Sequence, residues 1–163
     1  MSKIKLLAGL LILLPSMAVA TVTHVTLWEA LPGKSAEMMA TAAKAVELNK
    51  KLGMQAVTAV DSRGRLHFAM AFEDWAQWGA YQAKAAADAD MQAFVQGYST
   101  NPSAVQLDSF MLNQPLPGEP GSVYNVFIWE SYEGRSADMM TKAMEAAAIH
   151  QADGVSISVN VDQ

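Results

Sequence analysis

The chain has 163 residues, with 16 acidic against 11 basic side chains and a formal net charge of −5. That balance, with no basic stripe, argues against a surface built for nucleic acid or anionic lipid. The absence of cysteine excludes disulfides, thiolate metal sites and thiol catalysis.

Residues 1–20 have the build of an export signal. Lys3 and Lys5 precede an apolar run, Leu6 to Leu14, too short to span a bilayer with ease. Pro15 and Ser16 break the run, and Ala18-Val19-Ala20 has the small-x-small pattern that a signal peptidase cuts. The competing reading, a retained membrane anchor, fits the short run less well. Cleavage after Ala20 would leave a periplasmic or secreted protein with no membrane attachment. It would carry 9 basic and 16 acidic residues, a net charge of about −7.

From Thr23 to Trp28 the chain alternates as a strand does, with Thr23, Val25 and Leu27 on one face and His24, Thr26 and Trp28 on the other. Leu31-Pro32-Gly33 is a turn. Ser35 is placed to cap a helix that runs to about Leu52, where Gly53 stops it. Gln55 to Val60 is a second strand, Asp61-Ser62-Arg63-Gly64 a hairpin turn, and Leu66 to Phe72 a third strand. Asp74 and Gln77 form a capping box for a second helical region that carries Trp75, Trp78 and Tyr81 and ends near Tyr98. Asn101-Pro102 ends it, and Val105 to Leu112 is a fourth strand. Three prolines and two glycines mark residues 113–121 as a linker.

Beyond the linker the chain repeats itself. Val22 to Asp61 aligns without a gap to Val123 to Asp162, 101 positions on, with fourteen of forty residues identical. Trp28-Glu29 recurs as Trp129-Glu130, Ser35-Ala36 as Ser136-Ala137, and Gly33 and Gly53 as Gly134 and Gly154. A constant offset across strand, turn and helix signals duplication of a folding unit. The organisation expected is a signal at 1–20, a complete repeat at 21–112, a linker at 113–121 and a partial repeat at 122–163. By the same offset the second copy would end near residue 213, so the chain reads as a fragment. The rival is a short protein that completes its sheet with another chain.

The order β-α-β-β-α-β is the α+β, ferredoxin-like unit: strand order four, one, three, two, with helices on one face. The bare face of such a sheet usually pairs with another, and a tandem copy can supply it within one chain. The Trp-Glu end of the first strand, the Met-rich helix and the third strand running into Phe72-Glu73-Asp74-Trp75 resemble the dimeric α/β-barrel superfamily. Within it the nearest likeness is to antibiotic-biosynthesis-monooxygenase-like domains. The resemblance covers Val22 to Leu112 and restarts at Val123. It implies a barrel closed by two sheets, here an intrachain pair with a truncated second member, or a homodimer. Some members oxygenate aromatic polyketides without metal or flavin, and others bind or degrade haem.

In such a barrel the lumen is expected to receive His24, Thr26 and Trp28, with Asn125, Phe127 and Trp129 from the second copy and His67 from the third strand. Two imidazoles, an amide and indoles around one cavity would make an amphipathic ligand pocket. Asn125 resembles the first-strand Asn of the haem-degrading relatives, whereas His24 stands at that place in the first copy. The plainer reading is a barrel core with satisfied histidines. Neither a cofactor nor a metal is expected: His24 and His67 lack a third ligand, and Met38-Met39 and Met139-Met140 have core spacing. Glu29 and Glu130 suit a repeated turn better than general bases. His150 reads as a surface group at a helix C-terminus. The function expected is binding of a small apolar or aromatic ligand by an exported or accessory protein. The alternative is a cofactor-independent monooxygenase with His24 or His67 as base.

Overall fold

Five strands and four helices make an α+β structure over residues 22–116 and 127–162, the part of the chain that the computed structural model describes. In chain order they are β1 (Val22–Ala30), α1 (Ser35–Lys51), β2 (Ala56–Val60), β3 (Leu66–Phe72), α2 (Trp75–Ala87), α3 (Ala89–Thr100), β4 (Ala104–Leu116), α4 (Ser136–Ala152) and β5 (Val159–Asp162). The segment expected to direct export and Asn125 lie outside the described residues. Among those described, no helix is long and apolar enough to cross a membrane.

All neighbouring strands are antiparallel, in the order β2-β3-β1-β4-β5. The first four follow the order expected, and the sheet curls toward half a barrel. β4 reaches four residues past Leu112, into the stretch expected to be linker, and β5 pairs with that extension. The ladder between them is irregular from Asn113 to Leu116, the stretch holding Pro115, which has no N–H to give a ladder.

Helices α1, α2 and α3 cover one sheet face. The main core cluster joins Val22, Met70 and Phe72 of the sheet to Leu52 beside α1, Tyr81 of α2 and Met91 of α3. A smaller cluster joins Leu66 and Ala104 to Met38 and Ala42 of α1, with Trp28 packed against it. The covered face of β3 is therefore Leu66, Phe68, Met70 and Phe72. Its ladder partners on β1 are Trp28, Thr26, His24 and Val22, and opposed residues of an antiparallel pair share a face. This reverses the face expected for His24, Thr26 and Trp28: they lie beneath the helices. Thr23, Val25 and Leu27 take the far face. A bulge at Leu107 keeps β4 in phase, since Trp28 pairs with Gln106 but Leu27 with Asp108.

Local chemistry explains most element ends. Gln77 N–H donates to the Asp74 carboxylate at 2.7 Å, and the Gln77 side chain accepts from Glu73 N–H at 2.7 Å, closing the capping box one residue earlier than the standard form. The second helical region is two helices, because the Asp88 carboxylate accepts from Met91 N–H at 2.8 Å and starts α3. Ser35 is the first residue of α1 rather than its cap; Lys34 precedes it, with no side-chain cap bond. Buried Asn49 ties α1 to α2, accepting from the Tyr81 hydroxyl at 2.5 Å while its amide donates to Ala45 O at 2.7 Å.

The turn, helix and stop over 31–54 have a bond-for-bond counterpart at 132–155. Lys34 N–H donates to Leu31 O and Arg135 N–H to Tyr132 O, both at 2.9 Å. Met54 N–H bonds Asn49 O as Val155 N–H bonds His150 O. Gly53 and Gly154 follow at φ 86° and 80°, a conformation that glycine adopts without strain. The likeness stops at the strands. Residues 127–130 form no strand, contrary to expectation, and β5 pairs with β4.

Phe72, 1% exposed, is the largest side chain sealed in the core. Phe72→Ala is expected to cost about 3–5 kcal/mol of stability in urea unfolding. Val57→Ala, at a position 64% exposed, should change it by no more than about 0.5 kcal/mol.

Candidate functional site

The residues expected to share one lumen are divided between the two faces of the sheet. Trp28 is part of the covered core. Its ring meets Tyr98 of α3 edge-on, at 5.7 Å between centroids and 88° between planes. Its indole N–H donates to the Thr26 hydroxyl at 2.8 Å, and that hydroxyl donates to Phe68 O at 3.5 Å. The Tyr98 hydroxyl in turn donates to Ala104 O. Both polar handles are thus used inside the protein, as buried Trp and Tyr require.

His24 sits on the same covered face, across from Met70 of β3 and Met111 of β4. Its Nε2 is 2.9 Å from Ser109 Oγ, while Nδ1 is buried with no partner among the described residues. Burial pushes its pKa down, because the charged imidazolium loses hydration there. His67 stands on the opposite face, paired with Leu27 and Ala59, so the two imidazoles do not meet. The alternation of β3 explains it: with Leu66, Phe68, Met70 and Phe72 inside, His67 must face outward.

The lumen residues expected from 122–163 do not join them. Phe127 and Trp129 are 79% and 65% exposed on a segment without regular structure, and Asn125 lies outside the described residues. Glu29 and Glu130 are both exposed beside turns that carry Gly33 and Gly134 at φ 75° and 71°. His150 is exposed in the last turn of α4. Among the described residues, no three His, Asp or Glu side chains are grouped to hold a metal ion.

The far face brings together a set that the alternation of β1 taken alone does not reveal. Across the sheet run Ala59, His67, Leu27 and Asp108; the next row is Val57, Ala69, Val25 and Phe110. A third row holds Ala71, Thr23 and Leu112. The platform is polar at one end and apolar at the other. Val25 at its centre is buried, Leu27, His67, Ala69 and Phe110 are half-buried, and none of these residues belongs to the core clusters beneath α1, α2 and α3.

Asp61 anchors the polar end. Its carboxylate accepts from the Arg63 and Arg65 N–H groups at 2.9 and 3.0 Å, and holds the Arg65 guanidinium at 2.7 Å. The Arg65 bonds, foremost the side-chain one, keep its pKa far below the usual carboxylate range. The His67 Nε2 lies 3.4 Å from the same carboxylate, which fixes the ring's direction. The signal for this cluster was present in the sequence as Asp61-x-x-x-Arg65-x-His67, where three polar residues flank a hairpin turn.

Two hollows lie between helices, both open to solvent. One, of about 340 Å³, runs between α1 and α3 beside Lys44 and Phe94; the other, about 470 Å³, runs between α2 and α3 beside Tyr81 and Met91. Neither is lined by His24, His67 or Trp28.

Comparison with known proteins finds no counterpart: no family profile, no curated protein and no solved structure matches the chain.

The His24 environment sets a pH dependence. Its folded pKa lies below the unfolded value of about 6.5, so its contribution to stability is complete above that value. It is lost as the pH falls through it toward the folded pKa, where the unfolded chain binds the proton first. His24→Gln should therefore flatten the decline in melting temperature between about pH 7 and pH 5. A decline identical to wild type would contradict this.

Proposed function

We propose that this protein is an exported small-molecule binding or accessory protein, and that the far face of its sheet is the binding surface. The strand order β2-β3-β1-β4, with α1 to α3 on one side, is compatible with a ferredoxin-like unit. The matching bonds of 31–54 and 132–155 favour a tandem relation between the two segments. On this reading a second sheet, from a repeat or a second chain, closes the far face into a barrel.

One observation carries the proposal: the parity of β3 puts His67 on the same face as Val25, Leu27, Ala69 and Phe110. Val25 is already buried, but Leu27, Ala69 and Phe110 keep part of their apolar surface in water, and a planar apolar ligand can cover this part of the face. Its polar end would fix orientation, with His67 and Asp108 on either side of Leu27. His24, Thr26 and Trp28 then support the fold rather than touch the ligand, and the exposed Phe127 and Trp129 are free to join only if their segment moves.

The Asp61–His67 contact favours one further reading, cofactor-independent oxygenation of an aromatic substrate. Asp61 would orient the imidazole, and His67 would take a proton from an acidic substrate hydroxyl or C–H. The delocalised anion would add to dioxygen at carbon, the peroxide would take the proton back from His67, and loss of water would leave a carbonyl at that carbon. Oxygen uptake that requires His67 would mark catalysis, whereas binding without uptake would mark an accessory role.

Titration with an apolar dye such as anilinonaphthalene sulfonate separates the faces. Phe110→Ala should weaken binding roughly tenfold or more, from the ~1.5–3 kcal/mol that covering a Phe contributes. Trp28→Phe should leave the affinity unchanged while lowering the melting temperature. The reverse pattern would place the ligand beneath the helices and overturn the proposal.

A further inference from the structure

Strand β2 ends the sheet, and its outer edge carries backbone groups that no described residue pairs with. Which groups these are follows from the hairpin. Asp61 N–H donates to Arg65 O at 3.0 Å, and antiparallel pairs alternate between bonded and unbonded. Counting back along the register, Ala59 with His67 and Val57 with Ala69 are the bonded pairs. The N–H and C=O groups of Ala56, Thr58 and Val60 therefore point outward.

This edge has none of the guards that sheet edges carry. Ala56-Val57-Thr58-Ala59-Val60 contains no charge, no proline and no bulge, and all but Ala56 are exposed. Valine and threonine favour extended backbone, so the strand is ready for a further ladder. The same stretch of the repeat already behaves in this way within the chain. Residues 159–162 of β5 align with 58–61, and β5 is seated on the edge of β4.

We propose that the outer edge of β2 docks a second copy of this chain, through antiparallel β2–β2 pairing centred on Thr58. In that register Thr58 meets Thr58 of the second copy, Val57 meets Ala59, and Ala56 meets Val60. Each valine lies opposite an alanine, so the side chains fit without crowding, and the covered faces of both sheets stay on the same side. The outward groups of Ala56, Thr58 and Val60 form six hydrogen bonds across the twofold axis. A second copy has two sheet edges to offer, β2 and β5. Pairing β2 with β5 would be head to tail and would propagate into filaments, whereas β2 with β2 closes on itself.

The full chain in sedimentation velocity is expected to run as a dimer that dissociates on dilution. Thr58→Pro removes an outward N–H that the β2–β3 ladder does not use, and should give a monomer with unchanged circular dichroism and with the melting temperature that the wild type shows at a dilution where it is monomeric. The chain has no cysteine, so Thr58→Cys provides an independent check on an otherwise wild-type edge. On oxidation it should form a disulfide-linked dimer, since Cα atoms of a bonded antiparallel pair lie about 5.5 Å apart. Ser99→Cys, exposed on α3, should form none. A wild-type monomer at every concentration overturns the proposal. So do filaments, a dimer that survives Thr58→Pro, or equal cross-linking at the two cysteines. Dye binding at the far face is read separately, so loss of one result leaves the other standing.

Discussion

The register between β1 and β3 decides every side-chain position in the sheet. β3 puts Leu66, Phe68, Met70 and Phe72 on one face and His67, Ala69 and Ala71 on the other, so only one face can pack under helices. β1 is locked to it pair by pair, with Val22 opposite Phe72 and Trp28 opposite Leu66. A slip of one residue would turn Val22 and Trp28 away from the helices and Val25 and Leu27 toward them. One side-chain bond crosses between the strands on the covered side, from the Thr26 hydroxyl to the Phe68 carbonyl, and the Trp28 indole donates to that hydroxyl within β1. From that one constraint follow the depressed basicity of His24, the outward position of His67 and the composition of the far face.

Much of this was legible in the amino-acid order. The sequence of strands and helices in 22–112, the limits of the third strand, the capping box at Asp74 and the glycine stop at Gly53 all rest on short-range chemistry. What eluded a linear reading depends on partners distant in the chain. β1 is a central strand with apolar residues on both faces, so Thr23-Val25-Leu27 is as good a candidate for burial as His24-Thr26-Trp28. The decision lies in β3, forty residues away. Asp88 stands in an alanine-rich stretch that reads as continuous helix, and its carboxylate captures Met91 N–H instead. The extension of β4 past Leu112 depends on β5, which no local pattern announces. Residues 127–130 repeat a strand sequence, yet sequence likeness does not provide them with a ladder partner.

The reversal of faces also changes which chemistry the chain can offer a ligand. The covered side uses several of its polar atoms internally, in the Trp28–Thr26 and Asn49–Tyr81 bonds, while His24 Nδ1 stays without a partner among the described residues. The far face leaves an imidazole directed by Asp61 beside aliphatic and aromatic carbon. The amphipathic, histidine-bearing surface that we propose for ligand binding is therefore on the other side of the same sheet, and its residues come from β2, β3, β1 and β4.

The face assignment is the central claim, and side-chain nuclear Overhauser contacts of Trp28 test it most directly. Its indole protons should show cross-peaks to the Met38 side chain and the Tyr98 ring, and none to Val25 or Phe110. Cross-peaks from Trp28 to Phe110, with none to Tyr98, would put the indole on the far face and contradict the account.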